Sequence, residues 1–425
     1  MDTQTNYYKE HPNTGVIREY EFTLSSDLLA PDGYQVPVLL INGQFPGPTI
    51  EANFGDTIQV TVHNNVSTPE EGVAMHWHGM LQKGTPWEDG APAITQCPIP
   101  TGQSFTYQFI AQPYGTSWYH SHYSAQYGAG LIGPMVIHGP HDYHYDTDVG
   151  PILLSDWNHE DYYSLVEITM SNDTDKAPVR AANNLINGKN NFDCSKRKEN
   201  DTTPCVSNAG LSKFRFSQGK THLLRLINAG SEGLQHFSID EHMMTVVAND
   251  FVDVEPYDTK VVTLGIGQRA DVLVTADGER DAYWMRSSVS RNTACGLNDN
   301  PDALAVIYYD DAEDWIEPHS KPWDIPESKQ CENDPLELTV PVCKMELPEP
   351  DVTMDLVITW GVNQTGHPLW SFNNVSFRGN YNCPTLLLSA NGHTDMFEEE
   401  WNVVNVGEAK SVRVIVKNNA TIQIG

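Results

Sequence analysis

Positive charge is scarce in this sequence. Only 25 Lys and Arg stand against 56 Asp and Glu, a formal net charge of -31 over 425 residues. A surface so acidic repels nucleic acid and anionic membranes, so neither is expected as a partner. No apolar run approaches the roughly 20 residues that a membrane-spanning helix needs, while a hydrophobic fraction of 39% is normal for a soluble globular chain. Long stretches of helical periodicity are scarce too. Short β-branched and aromatic runs broken by Gly, Pro, Asn and Asp take their place, which argues for an all-β sandwich or barrel architecture. The opening Met1-Asp-Thr-Gln-Thr-Asn-Tyr-Tyr8 lacks the apolar core of a signal peptide. Against that absence, seven cysteines and six Asn-x-Ser/Thr sequons (Asn65, Asn172, Asn200, Asn363, Asn374, Asn419) suit an oxidising, secretory environment, and an extracellular location is the expectation.

The length suggests two or three domains, and an internal repeat divides it. Gly55-Asp-Thr-Ile-Gln-Val-Thr-Val-His-Asn64, Gly219-Lys-Thr-His-Leu-Leu-Arg-Leu-Ile-Asn228 and Gly407-Glu-Ala-Lys-Ser-Val-Arg-Val-Ile-Val-Lys-Asn418 share a Gly, a hydrophobic alternation and a closing Asn. Each comes after a related turn: Leu40-Ile-Asn-Gly43, Leu185-Ile-Asn-Gly188 and the weaker Phe372-Asn-Asn-Val375. Repeats this far apart are duplicated domains rather than solenoid units. Three β-sandwiches in tandem are therefore expected, joined by a Pro- and charge-rich connection around Pro318 to Pro350.

The three copies lead into different segments. After Asn64 come His76-Trp77-His78 and, some forty residues on, His120-Ser121-His122. Residues two apart on a strand share a face, about 6–7 Å from one another, so two adjacent strands would gather four imidazoles in one place. Such a cluster suits copper, zinc, iron or nickel. After Asn228 comes Gln235-His-Phe-Ser-Ile-Asp240, where Ser238 stands at the second histidine position, and a metal-free unit is expected. After Asn418 the sequence ends at Gly425, short of where a third metal strand would fall. His138, His141 and His144 lie in a turn-rich polar stretch and read as a solvated linker.

These motifs resemble those of multicopper oxidases, above all ascomycete laccases and laccase-like enzymes. The resemblance rests on His76-Trp-His-Gly79, Gln82-Lys-Gly-Thr85, Trp87-Glu-Asp-Gly90, Thr95-Gln-Cys-Pro-Ile99, Tyr114-Gly-Thr-Ser-Trp-Tyr-His-Ser-His-Tyr-Ser-Ala-Gln-Tyr-Gly128 and Leu264-Gly-Ile-Gly-Gln-Arg269 with Asp271. It implies tandem cupredoxin-like (Greek-key) β-sandwich domains: residues 1–150 carrying half of the trinuclear copper ligands, 151–345 a metal-free domain with its linker, and 346–425 an incomplete third. It also implies four coppers in the complete enzyme, one-electron oxidation of a phenolic or related aromatic substrate, and four-electron reduction of dioxygen to water. A monomer is expected. His76 resembles the type 2 copper ligand, His78 and His120 the ligands of one type 3 copper, and His122 a ligand of the other. Asp89 resembles a proton-relay acid, its plain alternative being a turn residue. Glu232 resembles a substrate-facing carboxylate, its alternative a solvated loop residue.

The departures are equally specific. The family's remaining ligands lie in a His-x-x-His-x-His and a His-Cys-His segment, and neither occurs in these 425 residues. The expectation is a sequence lacking the C-terminal copper-binding part, or else a non-catalytic copper-binding cupredoxin protein; a ferroxidase or ascorbate oxidase would share the retained ligands. Among the cysteines, Cys194 and Cys205 can close a local loop, Cys295 and Cys331 match a pair found in ascomycete laccases, and Cys343 and Cys383 are expected to pair. Cys97 is left over, its family counterpart bonding to a C-terminal cysteine.

Overall fold

The computed structural model describes residues 1–172, 179–291, 295–324 and 331–420. Thr174 and Thr421, which complete the sequons at Asn172 and Asn419, lie outside the described residues, as does the end of the expected third unit.

The protein is built from β-sheets, as the short apolar runs require. Eight strands form the first part: β1 (Ile17–Leu29), β2 (Val36–Ile41), β3 (Ile50–Asn53), β4 (Thr57–Asn65), β5 (Met75–Trp77), β6 (Ser104–Ile110), β7 (Gly115–Ser121) and β8 (Ile132–His138). They make two four-stranded sheets, β2-β1-β4-β6 and β3-β8-β7-β5. In β4 the alternation read from sequence puts Ile58, Val60 and Val62 fully inside. They pack with Phe22, Trp77, Tyr119 and Met135 in one core drawn from both sheets, the arrangement of a sandwich.

The second part repeats the plan. Its strands are β9 (Thr147–Trp157), β10 (Asn183–Ile186), β11 (Ser212–Phe216), β12 (Thr221–Asn228), β13 (Gln235–Ile239), β14 (Met244–Asn249), β15 (Val252–Thr259), β16 (Val262–Leu264), β17 (Arg269–Thr275), β18 (Ala282–Val289) and β19 (Asp302–Tyr309), with one helix, α1 (Tyr162–Thr169). The sheets run β10-β9-β12-β17-β14-β15 and β11-β19-β18-β13-β16. Leu224 and Leu226 of β12 face the core between them. Ile227, from the opposite face, packs with Trp118 and Ile132 of the first sandwich. Strand β12 is thus covered on both sides. β9 belongs wholly to this second pair of sheets and runs across residue 150.

A third, three-stranded sheet, β21-β20-β22, comprises β20 (Val352–Val362), β21 (Pro368–Phe372) and β22 (Val412–Asn418), and helix α2 (Thr385–Ala390) falls between β21 and β22 in the chain. The repeat has a common topology in all three parts. A first strand pairs antiparallel with the strand beside the Asn-rich turn and parallel with the Gly-to-Asn strand: β1 with β2 and β4, β9 with β10 and β12, β20 with β21 and β22. The turns match as well. Asn42/Gly43, Asn187/Gly188 and Asn373/Asn374 all hold positive φ, which Gly and Asn tolerate best. Each turn is closed by reciprocal backbone bonds, such as Ile41 with Gln44 and Phe372 with Val375.

Two disulfides, Cys194–Cys205 and Cys295–Cys331, agree with the sequence reading. The expected Cys343–Cys383 bond is absent; both are free thiols, as is Cys97. Different neighbours hold the two apart: Cys343 Sγ sits 3.5 Å from the Gln4 carbonyl of the N-terminal arm. Cys383 precedes α2, whose first residues Thr385 and Leu386 bond to Ala93 and Ile94. No helix of the described residues is long and apolar enough to cross a membrane.

Candidate metal centre

Strand β5 places His76 directly opposite His120 on β7, with Met75 facing Ser121 and Trp77 facing Tyr119. The pleat then sorts the side chains. Trp77 and Tyr119 turn into the core with no exposure, while His76, His78, His120 and His122 turn to the other face. Their rings lie close: His76 is 5.2 Å from His120, 5.5 Å from His122 and 5.7 Å from His78, centroid to centroid. The tightest contact is His78 Nδ1 to His120 Nε2, 3.5 Å. Ligand atoms of His76, His78 and His120 all lie within 4.8 Å of one another. His122 stands at the open end, exposed, its ring 5.9 Å from that of His120.

Hydrogen bonds settle which nitrogens are free. His76 Nδ1 donates to the Asp89 carbonyl at 2.7 Å, and His120 Nδ1 to the Ser121 carbonyl at 3.0 Å. In the neutral rings each Nε2 is left as an acceptor. Burial lowers the pKa of all three inner histidines. For His78 burial is reinforced by the Arg269 charge and by His76 and His122, bringing it to about 3. Neutral, desolvated imidazoles whose lone pairs converge form an electron-rich hollow suited to a cation.

Trp118 stacks on His120 at 4.2 Å and lies 5.1 Å from His78, so it is the aromatic that covers the rings. Trp77 and Tyr119 belong to the core instead. Two glycines let the backbone come close. A Cβ at Gly90 would fall 1.8 Å from the Met75 carbonyl, and one at Gly267 2.9 Å from His78 Cε1. Both residues hold φ of +80°, so a side chain there would also strain the backbone.

Asp89 reaches the cluster mainly through its carbonyl; its carboxylate Oδ1 is 3.5 Å from His76 Nδ1 and about a third of its side chain is exposed, at 32%. Glu232 is exposed, and its N–H donates to Asp156. Desolvation by the surrounding protein, then the Asp156 charge, raise its carboxyl to about 7. His138 and His141 are exposed and bonded to Glu51 and to the Tyr143 carbonyl, in keeping with a solvated stretch. In the second sandwich His236 bonds Thr263 and Ser238 is buried. Arg269 and Gly267 were not singled out from sequence as site residues. The Gly-Ile-Gly-Gln-Arg269 pattern was the available signal, since paired glycines mark close backbone approach. Arg269 lies over Phe251 and bonds the Thr116 carbonyl at 3.1 Å, tying the second sandwich to the strand that carries His120.

Multicopper oxidase family models match residues 23–142 and 148–312. Oxidoreductase OpS5 of Beauveria bassiana is 40% identical over 397 residues, covering 92% of this chain and 65% of its own length. Laccase-2 of Botryotinia fuckeliana is 36% identical, covering 95% and 67% respectively. The crystal structure of a laccase from Botrytis aclada superposes with a TM-score of 0.90 at 36% identity, over 99% of this chain and 75% of that one. The chain belongs to the multicopper oxidase family, and its sandwiches have the cupredoxin-like fold of that family. It spans about two thirds of the length of the two curated relatives just named.

Proposed function

We propose that this chain belongs to a laccase-like multicopper oxidase, which couples one-electron oxidation of phenolic or related aromatic substrates to four-electron reduction of dioxygen to water. The observation that carries the reading is the cluster of imidazoles in which His78 Nδ1 and His120 Nε2 approach to 3.5 Å. The donor set fits copper: neutral imidazoles serve both of its oxidation states without being oxidised. His76, His78, His120 and His122 would hold copper, which when bound supplies electron exchange with dioxygen.

The remaining roles rest on the chain's own groups. The Asp89 carbonyl fixes the His76 ring so that Nε2 faces the cluster, the usual task of a ligand's outer partner. The Asp89 carboxylate, 3.5 Å from His76 Nδ1 and open to solvent, can hold a proton at Oδ1 beside the site. Trp118 keeps water from the His120 face. Glu232, whose carboxyl is raised to about 7 by desolvation and then by the Asp156 charge, is the candidate substrate contact. The same reading takes residues 1–150, 151–345 and 346–425 as three cupredoxin units and the protein as a monomer. It places the protein on the secretory route, supported by two disulfides and by exposed asparagines at every sequon.

Copper titration of the 425-residue chain tests this. Cu(II) should give an ordinary spin-resonance signal without the intense blue band, because no Cys joins the histidines in the cluster among the described residues. The double variant H78A/H120A should lose most of that signal. Retention of the full signal by the double variant overturns the assignment.

A further inference from the structure

A cavity of about 600 Å³ lies away from the histidine cluster, where α1, the start of β10 and the disulfide-closed loop 194–205 meet the turn before β2. Its size falls within the roughly 300–1,000 Å³ range of small-molecule sites. One wall is a fixed aromatic stack. The His159 ring lies on Tyr34 at 4.0 Å and 11°, and Phe192 meets it edge-on at 4.5 Å. Tyr34 is held in turn by its hydroxyl, which donates to Asp201 at 3.0 Å. Leu165 of α1 and Ala182 supply apolar surface opposite charged groups at the rim.

The polar chemistry at that wall is a dyad of a half-buried histidine, His159, and a buried aspartate behind it. Asp32, with no exposure, lies 2.7 Å from His159 Nε2. It also accepts from Asn183 Nδ2 at 2.7 Å and from the Tyr34 N–H at 3.1 Å. Donation of Nε2–H to this carboxylate leaves Nδ1 as the acceptor in the neutral ring. His159 Nδ1 has no protein hydrogen-bond partner among the described residues. The rim is charged but largely self-compensated, with Arg180 3.3 Å from Asp299 and Lys198 3.9 Å from Glu160. An aromatic wall, one strong acceptor and a rim without an uncompensated cluster of either sign together select a planar, neutral molecule that brings a hydroxyl donor.

We propose that this cavity is a second small-molecule site, separate from the metal centre, that binds planar hydroxylated aromatics with the hydroxyl donating to His159 Nδ1. Asp32 is a positioning residue: it orients the imidazole and strengthens it as an acceptor without touching the ligand. The inference rests on the cavity and the dyad, not on the copper chemistry, so failure of either leaves the other standing.

The test is calorimetric titration of the whole chain, without added copper and under argon, with 2-naphthol and with 2-methoxynaphthalene, whose capped oxygen cannot donate. One equivalent of 2-naphthol should bind at least tenfold more tightly than the methyl ether. His159→Phe keeps a ring in the stack but removes the acceptor, and should abolish that preference. Leu165→Trp fills the cavity from α1 while leaving the dyad intact, and should weaken 2-naphthol at least tenfold even if the His159 variant proves unstable. Equal binding of the two ligands to the unaltered protein, or undiminished 2-naphthol binding by Leu165→Trp, overturns the proposal.

Discussion

Strands β12 and β22 are copies of one design with opposite fates. Both begin after a Gly, alternate apolar residues, end on Asn, and lie parallel to the first strand of their unit. Yet β12 is buried along nearly its whole length, whereas Val414, Ile415 and Val416 of β22 remain 49%, 40% and 58% exposed. The difference lies in what stands against each strand. β12 has a second sheet on one face and the first sandwich on the other, while the β21-β20-β22 sheet has no facing sheet among the described residues. Hydrophobic alternation specifies a strand and its register; the stability of that strand depends on cover supplied by residues far along the chain.

The largest expected effect is kinetic. Opening the third sheet exposes little that is not already exposed, whereas opening either sandwich means losing its core. Limited proteolysis should therefore cut within residues 346–420 orders of magnitude faster than within β1–β8, as local and global opening free energies differ by several kcal/mol, about 5–15 for the whole domain. Mass spectrometry of early fragments checks this, and first cuts in the first sandwich would reverse the comparison.

Core truncation should separate the two strands next. Leu226→Ala removes a fully buried side chain and should cost about 2–5 kcal/mol in denaturant unfolding. Val416→Ala, at an exposed position, should stay within about 0.5 kcal/mol.

A smaller effect, of opposite sign, comes from a desolvated carboxyl. Asp253 of β15 has a buried oxygen without a hydrogen-bond partner among the described residues. Burial, then the charges of Asp271 and Asp142, raise its carboxyl to about 7. The folded protein therefore holds this proton more tightly than the unfolded chain does. Its contribution to stability is full below the unfolded pKa of about 4 and is lost as pH rises towards 7. Asp253→Asn should remove that slope and gain about 1–2 kcal/mol at pH 8, measured by unfolding across pH. An unchanged slope would show that the carboxyl reaches water.

The histidine pairs show how far sequence reading extends here. Spacing of two at the strand ends placed the rings of His76, His78 and His120 within ligand distance of one another, with His122 at the open end, because the pleat sorts their faces. The repeat was legible for the same reason: Asn42/Gly43 and Asn187/Gly188 name their turn by residue type alone. Groups supplied from elsewhere were not legible. Arg269 and Gly267 reach His78 across about 190 residues of chain, and no local pattern states which histidine they will meet. Asp32 and His159 are separated by 127 residues, and neither stands in a motif. The Cys343–Cys383 expectation failed on the same ground, since counting thiols carries no information about where the chain takes them.

The register of β5 on β7 has a further consequence. Trp77 and Tyr119 are locked into the core by the same alternation that presents His76 and His120 on the other face. A slip of one residue would drive imidazoles into the core and expose an indole, so the ring positions cannot drift unless the first sandwich comes apart. The facing of His76 and His120 is therefore set as soon as that sandwich closes, and Gly267 of the second sandwich then packs against His78. Withholding copper should therefore leave the first sandwich folded, because the register rests on the packing of Trp77 and Tyr119.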